Sequence, residues 1–83
     1  MKKFKVVTGY YPSFNSAEKV KTRINEKLKN IKLDDVKAEV VQFSDCYIVL
    51  LYQTNDYDRA DAVFSKCMNN KIYCGIDCSE AEL

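Results

Sequence analysis

The feature that most constrains the fold is an unbroken apolar run from Cys46 to Tyr52, built from β-branched, aromatic and other apolar residues. A half-buried strand alternates apolar and polar side chains, whereas a strand covered on both faces has no polar interruption. The run is also far shorter than the roughly 18 apolar residues of a membrane span. The sequence therefore predicts the central strand of a sheet, in a protein that does not cross a membrane.

Alternating apolar residues elsewhere in the chain predict three further strands, over residues 3–10, 36–41 and 72–78. Apolar residues at three- and four-residue steps predict a helix over 15–32, with Asn15 as its N-cap. A second helix follows Asn55 or Asp56, either of which can cap it. We expect this helix to end at Asn69-Asn70, because asparagine tolerates the left-handed conformation found at helix ends.

The predicted order of elements is βαββαβ, within a chain of 83 residues. This order predicts one α+β domain over 1–83 with a ferredoxin-like fold, a four-stranded antiparallel sheet with two helices on one face. In that fold the first and third strands are central, as the run 46–52 requires. The fold hosts many unrelated functions, so function has to be argued from particular residues.

Catalytic side chains are scarce in this sequence. The chain has no histidine, which removes the commonest general base and the usual Cys-His and Ser-His nucleophile pairs. Its only glycines are Gly9 and Gly75, so no glycine-rich phosphate loop exists. We therefore predict a protein that is not an enzyme and carries no cofactor.

Four cysteines raise the question of a metal or redox site. Only Cys74 and Cys78 approach the spacing of a zinc-binding pair, and a Cys-x-x-Cys redox pair is missing. Cys67 shares the apolar stripe of the second helix, and Cys74 and Cys78 share the parity of the apolar residues in the last strand. The favoured interpretation is buried, reduced thiols that act as small apolar side chains, with no metal. A metal site on Cys67, Cys74 and Cys78 is the alternative, and a reducing cytosol disfavours disulfides.

The charges are separated along the chain. Residues 1–32 carry nine basic and two acidic side chains, a net charge of +7, whereas residues 33–83 carry −6. Lys19, Arg23 and Lys27 form a ladder of like charges on the first helix, a spacing that slightly destabilises a helix. A lysine-rich face in contact with solvent explains this ladder; a binding surface for an acidic partner explains it too.

The run 46–52 has apolar residues at both parities, so one set must face away from the helices. We expect Tyr47, Val49 and Leu51 to line a partner-binding surface on the open face of the sheet, with Val7, Val41 and Phe43 beside them. The opposite parity, with Ile48 and Leu50, is the alternative. An apolar face of this kind predicts a homodimer or an obligate contact with another protein.

These features lead to two main hypotheses for function. The first is a small non-catalytic module that binds another protein with an acidic patch, such as a phage or mobile-element regulator or inhibitor of a host protein. The second is binding of RNA or single-stranded DNA through the basic helix 15–32, or of a small anionic nucleotide as a sponge. Lys5 and Pro12 interrupt the apolar start of the chain, so we predict no secretory signal and a cytoplasmic location.

Overall fold

A computed structural model describes residues 2–33 and 36–80. The strands β1 to β4 and the helices α1 and α2 follow one another as β1 (Lys2–Tyr11), α1 (Phe14–Asn30), β2 (Glu39–Phe43), β3 (Cys46–Thr54), α2 (Tyr57–Asn69) and β4 (Gly75–Glu80). The sheet is antiparallel, in the order β2-β3-β1-β4. The predicted ferredoxin-like fold is thus confirmed, with β1 and β3 at its centre. The predicted domain range, 1–83, extends past the described residues and stays a prediction.

Two strands begin three residues later than the alternation predicts: β2 at Glu39 and β4 at Gly75. Val36 and Ile72, which we expected to start these strands, are buried core residues in the segments that lead into them. Their apolarity reflects burial in the core. The alternating pattern therefore identifies apolar residues that are buried, but it places the starts of these two strands too early.

A side chain of α1 replaces strand pairing just before β2. The backbone N–H of Ala38 donates to Oδ1 of Asn25 at 2.9 Å, and Nδ2 of Asn25 donates to the Ala38 carbonyl oxygen at 3.3 Å. Ala38 is buried, so its backbone N–H and carbonyl groups need hydrogen-bond partners within the protein. Asn25 thereby fastens the segment before β2 to the helix layer.

The N-caps of the two helices are Ser13 and Asp56. The backbone N–H of Ser16 donates to Oγ of Ser13 at 3.2 Å, so the prediction of Asn15 as the cap is wrong. Asp56 caps α2 as predicted, because its Oδ1 accepts from the backbone N–H of Asp58 at 3.0 Å. Both polar clusters contain several residues able to cap, and the sequence alone distinguishes them poorly.

Both helices end in the same motif, with a lysine in the left-handed conformation. The φ angle is 59° at Lys32 and 64° at Lys71. After α2, the N–H of Ile72 donates to the Cys67 carbonyl oxygen at 2.9 Å, and the N–H of Lys71 donates to that of Met68 at 3.1 Å. These bonds define a Schellman motif. The helix thus ends at Asn69-Asn70 as predicted, but the left-handed residue is Lys71, and Asn70 has a φ of −107°.

The pairing of β1 with β3 contains two irregularities that cancel. Val6 pairs with Tyr52 and Val7 pairs with Leu50, so β3 has an extra residue at Leu51. Between Val7 and Tyr10 the extra residue belongs to β1. Such bulges change which face of the sheet a side chain occupies.

The core lies between the sheet and the two helices. It is formed by buried residues of both layers, chiefly Val6, Val49 and Leu51 from the strands and Ala17, Ile24, Leu28, Ala60, Val63 and Cys67 from the helices. The helices therefore cover one face of the sheet, which we call the covered face. The other face, which no helix covers, is called the open face.

Candidate binding face of the sheet

The open face carries a continuous set of apolar side chains. Strand pairing places Val41 beside Ile48, and Val7 beside Leu50, on the two central strands and β2. All four residues are partly exposed, in contrast to the fully buried side chains on the covered face. Partly exposed aliphatic side chains that are contiguous across three strands form a surface suited to binding.

Two aromatic rings extend this apolar set at one end. Tyr10 is 68% exposed and Phe43 is 54% exposed, and their ring centroids lie 6.1 Å apart with the ring planes tilted by 43°. Tyr10 pairs with Ile48 and Phe43 pairs with Cys46, which puts both rings on the open face. Large, largely exposed aromatic side chains that contact each other provide a rigid apolar platform for a ligand.

A shallow groove of about 370 Å³ lies next to Tyr10. Pairing between β1 and β4 stops at Val7 and Gly75, and the groove lies where the two chain segments separate. Tyr73, which is 71% exposed, forms the opposite wall. A Cβ atom added to Gly9 or Gly75 would meet no atom within 4 Å, so both glycines border open space.

Charged side chains lie on the open face beyond the apolar set. Lys5 pairs with Asp77 of β4 on one side and with Gln53 of β3 on the other, and Lys3 follows at the next position of the same parity. Glu39 pairs with Leu50 at the opposite edge. The open face therefore combines an apolar, aromatic end with a polar end that can form hydrogen bonds.

The structure corrects part of the predicted binding surface. Val49 and Leu51 are 0% and 2% exposed and belong to the core, so neither lies on the open face. Tyr47 also faces the helices, where its ring packs edge-on against Phe14 of α1 at a centroid distance of 5.8 Å. Phe43, Val7 and Val41 do lie on the open face, and they are joined there by the alternative parity of β3, Ile48 and Leu50.

The two bulges explain why the alternation of residues along the strands did not identify the open face. Tyr52 pairs with the buried Val6 and follows the buried Leu51, so two consecutive residues of β3 pack on the covered side. In β1, the extra residue moves Tyr10 to the open face, although simple alternation groups it with Val6. Gly9 was the available signal, since an isolated glycine inside a strand often marks a bulge.

The predicted basic residues lie elsewhere in the molecule. Lys19, Arg23 and Lys27 are all exposed on α1, which packs on the covered face. None of the three forms an ion pair with another described residue; the ion pair on this helix joins Lys21 and Glu18. The structure thus divides the predicted partner-binding residues between two opposite sides of the sheet.

The cysteines do not gather into a cluster. Within residues 2–33 and 36–80, no group of three histidine, cysteine, aspartate or glutamate side chains is placed to hold a metal ion. Cys67 is buried, Cys74 and Cys46 are partly exposed, and Cys78 is exposed. In the same part of the chain, no helix has the length and apolarity needed to cross a membrane.

Fold and open face together define a small ferredoxin-like α+β domain with exposed aromatic residues on its sheet. No protein-family model and no curated protein matches the chain. Among solved structures, it is similar to the solution structure of the peptidoglycan binding domain of the B. subtilis cell wall lytic enzyme CwlC. The TM-score is 0.74 at 15% sequence identity, over 96% of this chain and 92% of that chain. At this identity the similarity is one of fold.

Proposed function

We propose that this protein is a non-catalytic binding module whose ligand lies on the open face of the sheet. The observation that carries the proposal is the pair of exposed rings, Tyr10 and Phe43, beside contiguous aliphatic side chains on a face without a helix. Leaving such a surface in water forgoes about 25 cal/mol for each Å² that a ligand would bury. A ligand that covers the rings recovers this free energy.

Peptidoglycan is the ligand that we propose first. A domain with the same fold over nearly the whole chain is named as a peptidoglycan binding domain, which supports this choice. The chemistry of the open face also fits a polysaccharide. Aromatic rings pack against the C–H groups of sugar rings, while Lys3, Lys5 and Gln53 can bond to hydroxyl and carboxylate groups.

Sedimentation with insoluble purified peptidoglycan tests this proposal. We expect the wild-type protein to sediment with the polymer, and the double variant Tyr10→Ala, Phe43→Ala to remain in the supernatant. Tyr57→Ala is a matched control, because Tyr57 is an exposed tyrosine that packs on Phe4 in the helix layer. It should sediment like the wild type.

The possible outcomes test the choice of ligand and the choice of binding surface separately. A wild-type protein that does not sediment with peptidoglycan would exclude this ligand. A double variant that binds as well as the wild type would exclude the aromatic pair as the site. Thermal melting of all three proteins tests whether a loss of binding is caused by unfolding.

A protein partner is the second proposal, favoured by the aliphatic part of the open face. Val7, Val41, Ile48 and Leu50 form a surface like the centre of a protein interface, where apolar residues concentrate and charges are few. The partner would be a second copy of this chain or another protein, including a host protein that a phage regulator inhibits. The exposed basic ladder of α1 lies on the opposite side of the sheet, so it would bind an acidic patch on a separate partner.

Sedimentation velocity at increasing concentration tests the homodimer. We expect a self-associating wild type and a monomeric Leu50→Lys variant, whose added charge would be buried in the interface. A protein that stays monomeric at all concentrations would exclude the homodimer, and the open face would then bind another ligand. Cell fractionation adds an independent distinction, because a peptidoglycan ligand requires export whereas the predicted cytoplasmic location fits a protein partner.

A further inference from the structure

The groove beside Tyr10 lies along the end of β1, beyond the pairing of this strand with β4. β1 extends to Tyr11, but its last pair with β4 joins Val7 to Gly75. Tyr10 and Tyr11 keep β3 as their neighbour on the other side. In the part of the chain that the structure describes, no strand pairs with the other edge of residues 8–11. Backbone N–H and C=O groups of a strand point to both of its sides, so some of these groups are directed towards the groove.

The end of α2 holds the opposite wall of the groove in place. The N–H of Ile72 donates to the Cys67 carbonyl oxygen at 2.9 Å, and the Ile72 side chain is buried. These contacts draw the chain before β4 towards the core, which separates Tyr73 from β1. The groove is therefore formed before a ligand binds, and it is closed at the end where Val7 pairs with Gly75.

The shape and the hydrogen-bonding groups of the groove fit a single secondary amide. Its volume of about 370 Å³ is small for a ligand site, and its closed end excludes a strand that continues past it. The free edge of residues 8–11 offers backbone groups that normally bond to a neighbouring peptide unit. An acetamido group has the same N–H and C=O pair and ends in a methyl group. It can therefore replace one peptide unit beside this edge.

The charge and the rings of the groove favour a neutral sugar as the carrier of this amide. Among the described residues that line the groove, Asp77 is the only charged one, so a carboxylate or phosphate group would be repelled. Lys5 pairs with Asp77 across the strands but does not line the groove. The Asp77 carboxylate can accept hydrogen bonds from sugar hydroxyl groups. Tyr10 and Tyr73, which are 68% and 71% exposed, can pack against the C–H groups of a sugar ring.

We propose that this groove is a subsite for the acetamido group of an N-acetylated amino sugar. The proposal rests on the proposed function, because both sugars of peptidoglycan carry this group. Of the two, N-acetylglucosamine is neutral, whereas N-acetylmuramic acid bears an additional side group that ends in a carboxylate or a peptide. The groove therefore takes N-acetylglucosamine, and the rings of Tyr10 and Phe43 bind the neighbouring part of the same glycan strand.

Three tetrasaccharides with the same linkage between their sugars test this subsite. Tetra-N-acetylchitotetraose carries acetamido groups, chitotetraose carries free amines and cellotetraose carries hydroxyl groups at the same positions. Binding to the isotope-labelled full chain is followed by NMR, through the backbone amide signals. We expect the acetylated sugar to bind about tenfold more tightly than cellotetraose, which is the gain from a well-placed hydrogen-bonding group. It should also shift the signals of Gly9 and Gly75 most strongly.

Valine in place of the groove glycines provides the matching variants. A Cβ atom added to Gly9 or Gly75 meets no atom within 4 Å, and neither residue has a positive φ. Gly9→Val and Gly75→Val should therefore fold, fill the groove and bind the acetylated sugar no better than cellotetraose. Gln42→Val is the matched control, because Gln42 is an exposed residue of β2 that pairs with Tyr47 on the covered side. It should keep the preference of the wild type.

The outcomes distinguish this subsite from the proposed function. A wild type that sediments with peptidoglycan but binds the three sugars equally, or binds none of them, would overturn the subsite and leave the peptidoglycan module intact. Failure to sediment together with failure to bind any sugar would contradict both. Two folded glycine variants that keep the preference would show that the acetamido group binds elsewhere. So would acetamido-dependent shifts confined to residues outside the groove, a result that does not require the variants to fold.

Discussion

Both faces of the central strand β3 carry apolar side chains, but the two faces differ in environment. On the covered face, Val49 and Leu51 are shielded from water by two helices. On the open face, Ile48 and Leu50 alternate with them along the same strand and remain partly exposed. The apolar residues of a strand therefore indicate how much of its surface becomes covered. They do not indicate what covers each face.

The largest expected effect comes from placing a charge on each face of β3. Leu51→Lys should prevent folding, because a buried ammonium group without a partner costs several kcal/mol, comparable to the stability of a small domain. Leu50→Lys should leave a folded domain, because its side chain can reach solvent. Circular dichroism and thermal melting of the two variants measure the difference. Equal destabilisation by both substitutions would show that the open face is covered in the isolated protein.

A smaller effect is expected at the edge of the covered layer, where Asn25 binds the backbone of Ala38. Asn25→Ala leaves the N–H and the carbonyl of a buried residue without these partners, which should cost about 1 to 3 kcal/mol of unfolding free energy. Asn15→Ala, at an exposed position of the same helix, should have little effect. Urea denaturation compares the three proteins. If Asn25→Ala and Asn15→Ala are equally stable, the segment before β2 does not depend on this contact.

The smallest expected effect is a gain in stability at the two helix ends. Lys32 and Lys71 have left-handed φ angles that glycine adopts without strain, so Lys32→Gly and Lys71→Gly should each stabilise the domain by about 1 kcal/mol. Lys66→Gly is the matched control within α2, where glycine should destabilise by a similar amount. Thermal melting should therefore separate the variants by sign. A loss of stability in both helix-end variants would contradict the assigned Schellman motifs.

Much of the fold could be predicted because periodicity reports burial directly. The stripe of Ala17, Ile24 and Leu28 predicts α1, and the run 46–52 predicts the central strand. The boundaries were less accurate where apolar residues are buried outside strands, as at Val36 and Ile72. At these positions tertiary contacts, rather than local pairing, explain the sequence.

The residues of the open face were harder to predict because they depend on strand register. A shift of one residue exchanges the two faces of a strand, and both bulges lie between β1 and β3. Phe43 was assigned correctly, since β2 and β3 pair without irregularity. Tyr10 was missed because it follows a bulge.

The two opposite bulges also bear on how this domain can evolve. Each strand carries one residue that its partner does not match, and beyond both irregularities the pairing returns to its original register. Deleting a residue from β1 alone, near Gly9, would exchange inward and outward side chains along one end of the strand. Deleting one residue from each strand would preserve the arrangement at both ends. Relatives of this chain should therefore gain or lose length in β1 and β3 together, although these positions lie some forty residues apart in sequence.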